Sequence, residues 1–106
     1  KCGKIVTILS SFLDSPTIGS SIYISNKNYL KGLAKVWEVE NTKFNITSNT
    51  ISPSFMLTPK TMQMDERLIA QFKSGSNGLL TVDNVSSKIA DFLSKPGEEF
   101  QHDILL

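Results

Sequence analysis

Ser10 is followed thirteen positions later by Tyr23-Ile24-Ser25-Asn26-Lys27, and a serine, a tyrosine and a lysine at such intervals can form a device for moving a proton. A free tyrosine titrates at about pH 10, too high for ready proton exchange at neutral pH. A lysine ammonium close by favours the phenolate and brings that pKa down. A serine hydroxyl beside the pair can hydrogen-bond a substrate oxygen and hold it against the phenol. Such a trio gives a proton to a carbonyl oxygen, or takes one from an alcohol, while a hydride moves at the carbon. The hydride has to come from a cofactor. Taken alone, Tyr-x-x-x-Lys is a frequent accident on helices, where tyrosine packs and lysine snorkels, so context decides its meaning.

The elements that must position these residues are readable from periodicity. Gly3 to Leu9 is an apolar, β-branched run ending in Ser10-Ser11, the pattern of a strand buried on both faces. Residues 12–20, with Asp14, Pro16 and Gly19, read as a loop. From 21 to 43 there is no proline, and Ile22, Tyr29, Leu30, Leu33, Val36 and Trp37 fall at helical spacings. Gly32 within that helix is expected at a close packing contact. Asn45 to Ile51 reads as a second strand stopped by Ser52-Pro53, and residues 52–63 as an adaptable loop rich in Ser, Thr, Pro and Met. Met64 to Lys73 and Asp83 to Ser94 read as helices. The first has Leu68, Ile69 and Phe72 inward, and the second has an apolar stripe of Val85, Ile89, Phe92 and Leu93. Gly75, Gly78 and Pro96-Gly97 break the pattern, and Phe100 to Leu106 reads as a last strand. The order implies an α/β layer, a parallel sheet of three strands with flanking helices. In such sheets ligands gather at the carboxyl ends of the strands. Ser10, Tyr23, Lys27 and the segment from Pro53 to Thr58 therefore converge on one edge.

The 106 residues are one domain at most, and 40% hydrophobic with 20% charged is an ordinary globular mix. A formal charge of +1 supplies no basic field for nucleic acid and no polybasic run for an anionic membrane. Apolar runs are too short to span a bilayer, and a single cysteine, Cys2, fits a reducing, cytoplasmic compartment. Asn45-Ile46-Thr47 and Asn84-Val85-Ser86 match the glycosylation sequon and read as chance without a secretory context. His102, the only histidine, reads as an edge residue, and no metal site is expected.

Four segments together resemble the short-chain dehydrogenases/reductases. Gly3-Lys4-Ile5-Val6-Thr7-Ile8-Leu9-Ser10 is similar to the strand that ends in that family's catalytic serine, and Tyr23-Ile24-Ser25-Asn26-Lys27 to its Tyr-x-x-x-Lys. Asn49-Thr50-Ile51-Ser52-Pro53-Ser54-Phe55-Met56-Leu57-Thr58 resembles its Asn-x-Ile-x-Pro-Gly-x-x-x-Thr. Thr81-Val82-Asp83-Asn84-Val85 resembles its Thr-Pro-Glu-Asp-Val. The resemblance implies the C-terminal half of a Rossmann-like doubly wound sheet and an NAD(P)-dependent oxidoreductase interconverting a carbonyl and an alcohol, a 3-ketoacyl type among the candidates. Tyr23 would be the general acid/base, Ser10 would orient the carbonyl, and Lys27 would lower the tyrosine pKa and hold the nicotinamide ribose. Cofactor contacts would come from Tyr23, Lys27, Pro53, Ser54, the Met56 backbone and the Thr58 side chain, with residues 59–74 as substrate lid. Homo-oligomerisation would use the helix at 21–43 and the C-terminal segment, with Trp37 at the interface or in the core.

The departures are as informative. Ser54 stands where the family usually has glycine, which bears on how closely the backbone approaches the cofactor. There is no Gly-rich phosphate-binding turn and no residue to choose NAD over NADP. The chain opens on Lys1, directly before a strand, and so reads as a fragment or a processed product of a single partial domain, 1–106, with the cofactor-binding half absent. The first strand alone presents an apolar edge that invites association. The alternative reading is therefore a catalytically incomplete module that acts only with a partner chain.

Overall fold

β-branched residues occupy Ile5 to Ile8, where a pleated backbone suits their stiff side chains. The computed structural model, which describes residues 2–74, 80–95 and 103–105, forms its first strand there, β1 (Gly3–Ile8). A 3-10 turn (Ser11–Leu13) and a loop lead to the long helix α1 (Ser21–Asn41). In that loop the Ser20 hydroxyl donates to the Thr17 carbonyl at 2.5 Å, so it folds the loop and does not cap the helix. Gly19 takes a φ of +82°, which only glycine adopts cheaply. A second 3-10 turn (Thr42–Phe44) ends in Asn45 at φ +56°, a left-handed residue that swings the chain into β2 (Ile46–Ser52).

β2 is the centre of a three-stranded sheet in the order β1-β2-β5, with β5 at Asp103–Leu105 and both pairings parallel. Gly3 stands beside Ile46 and Ile8 beside Ile51. Beyond β2 the chain forms β3 (Met56–Leu57), a 3-10 turn (Thr61–Gln63) and α2 (Glu66–Lys73). It continues into β4 (Leu80–Thr81), which runs directly into α3 (Val82–Ser94). β3 and β4 pair parallel as a separate two-stranded ribbon, which the sequence pattern does not announce.

Helices cover both faces of the sheet. The less exposed residues of α1 include Ile24, Lys27, Leu30, Ala34, Trp37 and Asn41, a stripe at steps of three and four, with Lys31, Leu33 and Glu38 at its margins. Ala34 is buried, and its carbonyl accepts the Ser48 hydroxyl at 2.9 Å, which seats α1 on β2. Lys4 stands opposite Thr47, on the other face. Its ammonium donates to the Phe92 carbonyl at 2.8 Å and to the Lys95 carbonyl, at the C-terminal end of α3. Among the described residues the buried apolar side chains are Leu9, Ala34, Ile51 and Val85, and the carboxyl half of β2 is buried although it is largely polar.

Two expectations change. β1 is half-buried along most of its length, not fully buried as expected: among the described residues it is an edge strand paired with β2 on one side only, so its outer backbone edge stays exposed. Gly32 is not at a packing contact among the described residues: a Cβ added there would meet none of their atoms within 4 Å. Element bounds shift slightly, the long helix stopping at Asn41 because the left-handed Asn45 has to follow. Val85 of the α3 stripe is buried, Ile89 and Phe92 are half-buried and Leu93 is exposed. Ile69 of α2 is half-buried. The expectations for the Leu68 and Phe72 side chains, the breaks at 75–78 and 96–97, and His102 lie outside the described residues.

Candidate active site

Parallel pairing carries β1 and β2 to a common carboxyl edge, where two main-chain bonds join them. Leu9 N–H donates to the Ile51 carbonyl at 2.7 Å and Ser11 N–H to the Pro53 carbonyl at 3.1 Å. Ser10 lies between them, 7% exposed, in extended backbone, with its hydroxyl accepting the Phe12 N–H at 3.2 Å. The serine is therefore held from both sides, while its own hydroxyl proton is not used by that bond.

Tyr23 and Lys27 occupy the first two turns of α1, four residues apart and so on adjoining positions of one face. Tyr23 is 45% exposed, whereas Lys27 lies on the helix's less exposed stripe. Its ammonium donates to the Ile8 carbonyl at 2.9 Å and lies 5.8 Å from the centre of the Tyr23 ring. Ile8 is two residues before Ser10, so one lysine connects the end of the serine's strand to the tyrosine's helix. The structure thus brings Ser10, Tyr23 and Lys27 to the same edge.

The second group of candidates follows β2 from that edge. Pro53 is buried and its carbonyl is taken by Ser11. The Ser54 hydroxyl oxygen is buried with no hydrogen-bond partner among the described residues. Met56 lies in β3, whose pairing with β4 uses the Phe55 carbonyl as acceptor of the Leu80 N–H at 3.1 Å. Thr58 follows β3 and forms a reciprocal pair with Thr61. Thr58 N–H donates to the Thr61 hydroxyl at 2.7 Å, and Thr61 N–H donates to the Thr58 hydroxyl at 3.2 Å. This is the topology of a capping box with threonine in place of the usual Glu or Gln. Thr81 and Asn84 repeat it where β4 becomes α3. Thr61, read from the sequence only as part of the 59–74 lid, and the Ile8 carbonyl are the partners of candidate residues that sequence reading did not single out. The Thr-x-x-Thr spacing was a visible signal for the first; nothing local signals the second. A groove lined by Leu80, Asn84, Val85, Ser87, Lys88 and Asp91 lies on α3 and β4 and contains none of the candidates.

No protein-family model matches the chain, and no curated protein does. Solved structures do. A mutant 4-hydroxyisoleucine dehydrogenase complexed with NADH and succinate is similar over 99% of this chain, with a TM-score of 0.85 and 24% identity. A 3-hydroxyacyl-CoA dehydrogenase type-2 from Mycobacterium avium matches over 97%, with a TM-score of 0.80 and 24% identity. An acetoin dehydrogenase from Salmonella typhimurium matches over 98%, with a TM-score of 0.77 and 20% identity. This chain spans 45%, 40% and 41% of those three chains respectively. It has the mixed α/β fold, with parallel strands, of a portion of these dehydrogenases. Among the described residues no helix is long and apolar enough to cross a membrane.

Proposed function

We propose that the chain is the catalytic, C-terminal half of a short-chain dehydrogenase/reductase, a cytoplasmic NAD(P)-dependent enzyme that interconverts a carbonyl and an alcohol. The observation that carries this reading is Lys27. Its ammonium spans from the Ile8 carbonyl to the Tyr23 ring at the strand edge where Ser10 lies. A lysine kept only for solubility would point its charge at water. The dehydrogenase fold adds to it, and one of the similar structures is complexed with NADH.

In reduction, the Ser10 hydroxyl donates a hydrogen bond to the substrate carbonyl oxygen and fixes its position. The Tyr23 phenol gives that oxygen its proton, and the resulting phenolate is stabilised by the neighbouring Lys27 cation. The chemistry a nicotinamide would supply there, when bound, is a hydride for the carbonyl carbon, which with the proton from Tyr23 gives the alcohol. In oxidation Tyr23 takes the proton back. The residues that would hold the nicotinamide are Tyr23, Lys27, Pro53, Ser54, Met56 and Thr58. The buried, unsatisfied Ser54 hydroxyl and the polar backbone between β2 and β3 suit a polar heterocycle there. Residues 59–74 would cover the substrate, for which a 3-ketoacyl type is one candidate. α1 would mediate homo-oligomer formation together with the C-terminal segment.

The alternative, a catalytically incomplete module acting only with a partner chain, is favoured by one observation: among the described residues the outer edge of β1 carries no strand. Titration with NADH and NADPH, followed by nicotinamide fluorescence, separates the two readings. The enzyme reading expects one nucleotide to bind and Tyr23→Phe to lose turnover by about a thousandfold or more while binding stays largely intact. Absence of binding by both nucleotides removes the enzyme reading, and turnover retained in Tyr23→Phe removes Tyr23 from the acid/base role.

A further inference from the structure

We propose that Thr61 is a positioning residue, a hydroxyl latch that sets the nicotinamide-facing groups of Met56 and Thr58; the proposal rests on the dehydrogenase reading above. A threonine hydroxyl has one proton to give and two lone pairs. Thr61 has two carbonyls in reach, Met56 at 2.7 Å and Thr58 at 3.1 Å, and the shorter contact takes its proton. One lone pair receives the Thr58 N–H at 2.7 Å. The second faces the Thr58 hydroxyl, whose oxygen is 3.2 Å away and already accepts the Thr61 N–H. Because the proton of Thr61 is committed to Met56, the proton between the two hydroxyls belongs to Thr58. At that separation it is weakly held and free to turn outward.

Two capacities are left over. Met56 has a second lone pair on its carbonyl, since the pairing with β4 engages Phe55 instead. Thr58 has its hydroxyl proton. One acceptor and one donor, two residues apart and held by a common partner, match the donor and acceptor of a primary carboxamide, the group that nicotinamide carries. Thr61 would touch no ligand. Its hydroxyl fixes two groups that do, so its loss should weaken nucleotide binding more than it slows chemistry.

The test compares Thr61→Val and Thr61→Ser in the polypeptide as its natural source makes it. NADH and NADPH affinity is read by fluorescence. Exchange of the Thr58 amide is read by NMR without nucleotide. Valine keeps the shape and removes the hydroxyl; serine keeps the hydroxyl. The expected result is a dissociation constant about tenfold higher in T61V, as loss of a pair of hydrogen bonds would give. The turnover number should change far less, Thr58 exchange should be about tenfold faster or more, and T61S should restore both. Binding of T61V within about twofold of the unchanged protein, or T61S as weak as T61V, overturns the proposal. If the unchanged protein binds neither nucleotide, the dehydrogenase reading fails and the ligand role of Thr61 with it. Faster Thr58 exchange in T61V then still supports the latch, and unaltered exchange overturns that too.

Discussion

Two lysines of this small domain spend their charge on main-chain carbonyls, with different consequences. Lys27 reaches the Ile8 carbonyl beside the tyrosine ring and belongs to the candidate chemistry. Lys4 reaches the Phe92 and Lys95 carbonyls across 88 and 91 residues of sequence, and its ammonium lies 4.6 Å from the centre of the Phe92 ring. There it answers the unsatisfied carbonyls and the negative end of the α3 dipole while tying the helix to β1. Lys4→Met is expected to lower stability by about 1–2 kcal/mol, measured as a lower urea midpoint. An unchanged midpoint would show that water replaces the ammonium without loss. Because Lys4 sits on the face away from α1, the same variant should leave nucleotide affinity unaltered.

At the scale of elements, α1 does two jobs from two faces. Its inner stripe carries Lys27 to the sheet edge and seats Ala34 on Ser48, while Gly32 lies outside that stripe in open space. Glycine in a helix interior lowers stability through the freedom it retains when unfolded. Gly32→Ala is therefore expected to raise stability by about 0.5–1 kcal/mol, read as a higher thermal midpoint. A drop would mean that something packs against that position. The paired strands β3 and β4, flanked by the reciprocal pairs Thr58–Thr61 and Thr81–Asn84, tie down the segment that follows β2. The Thr58–Thr61 spacing carried a signal for half of this that sequence reading did not use. The pairing of Met56 with Leu80 was not legible, because two-residue strands carry too little pattern to be seen.

At the scale of the whole molecule, α1 presents an exposed apolar row. Ile22, Tyr29 and Val36 are spaced seven apart along α1 and are 78%, 70% and 49% exposed. Such a row suits a helix from a second copy. Tyr29→Lys with Val36→Lys is expected to lower the assembly mass in sedimentation equilibrium, and an unaltered mass would place the association elsewhere. The sequence by itself determined what short-range physics can encode: an apolar β-branched run for β1, weak alternation for β2, helical spacing for α1 and α3, and a tyrosine and lysine one turn apart. It also carried the motif resemblance to a dehydrogenase. Only the tertiary structure decided which carbonyl Lys27 takes, that Lys4 caps a distant helix, that Gly32 faces open space, and that Thr61 rather than a ligand holds the Thr58 amide. Those outcomes depend on which groups meet after the chain has folded. A residue's own type and its near neighbours constrain that meeting only weakly, because register, burial and hydrogen-bond competition are settled between elements far apart in sequence.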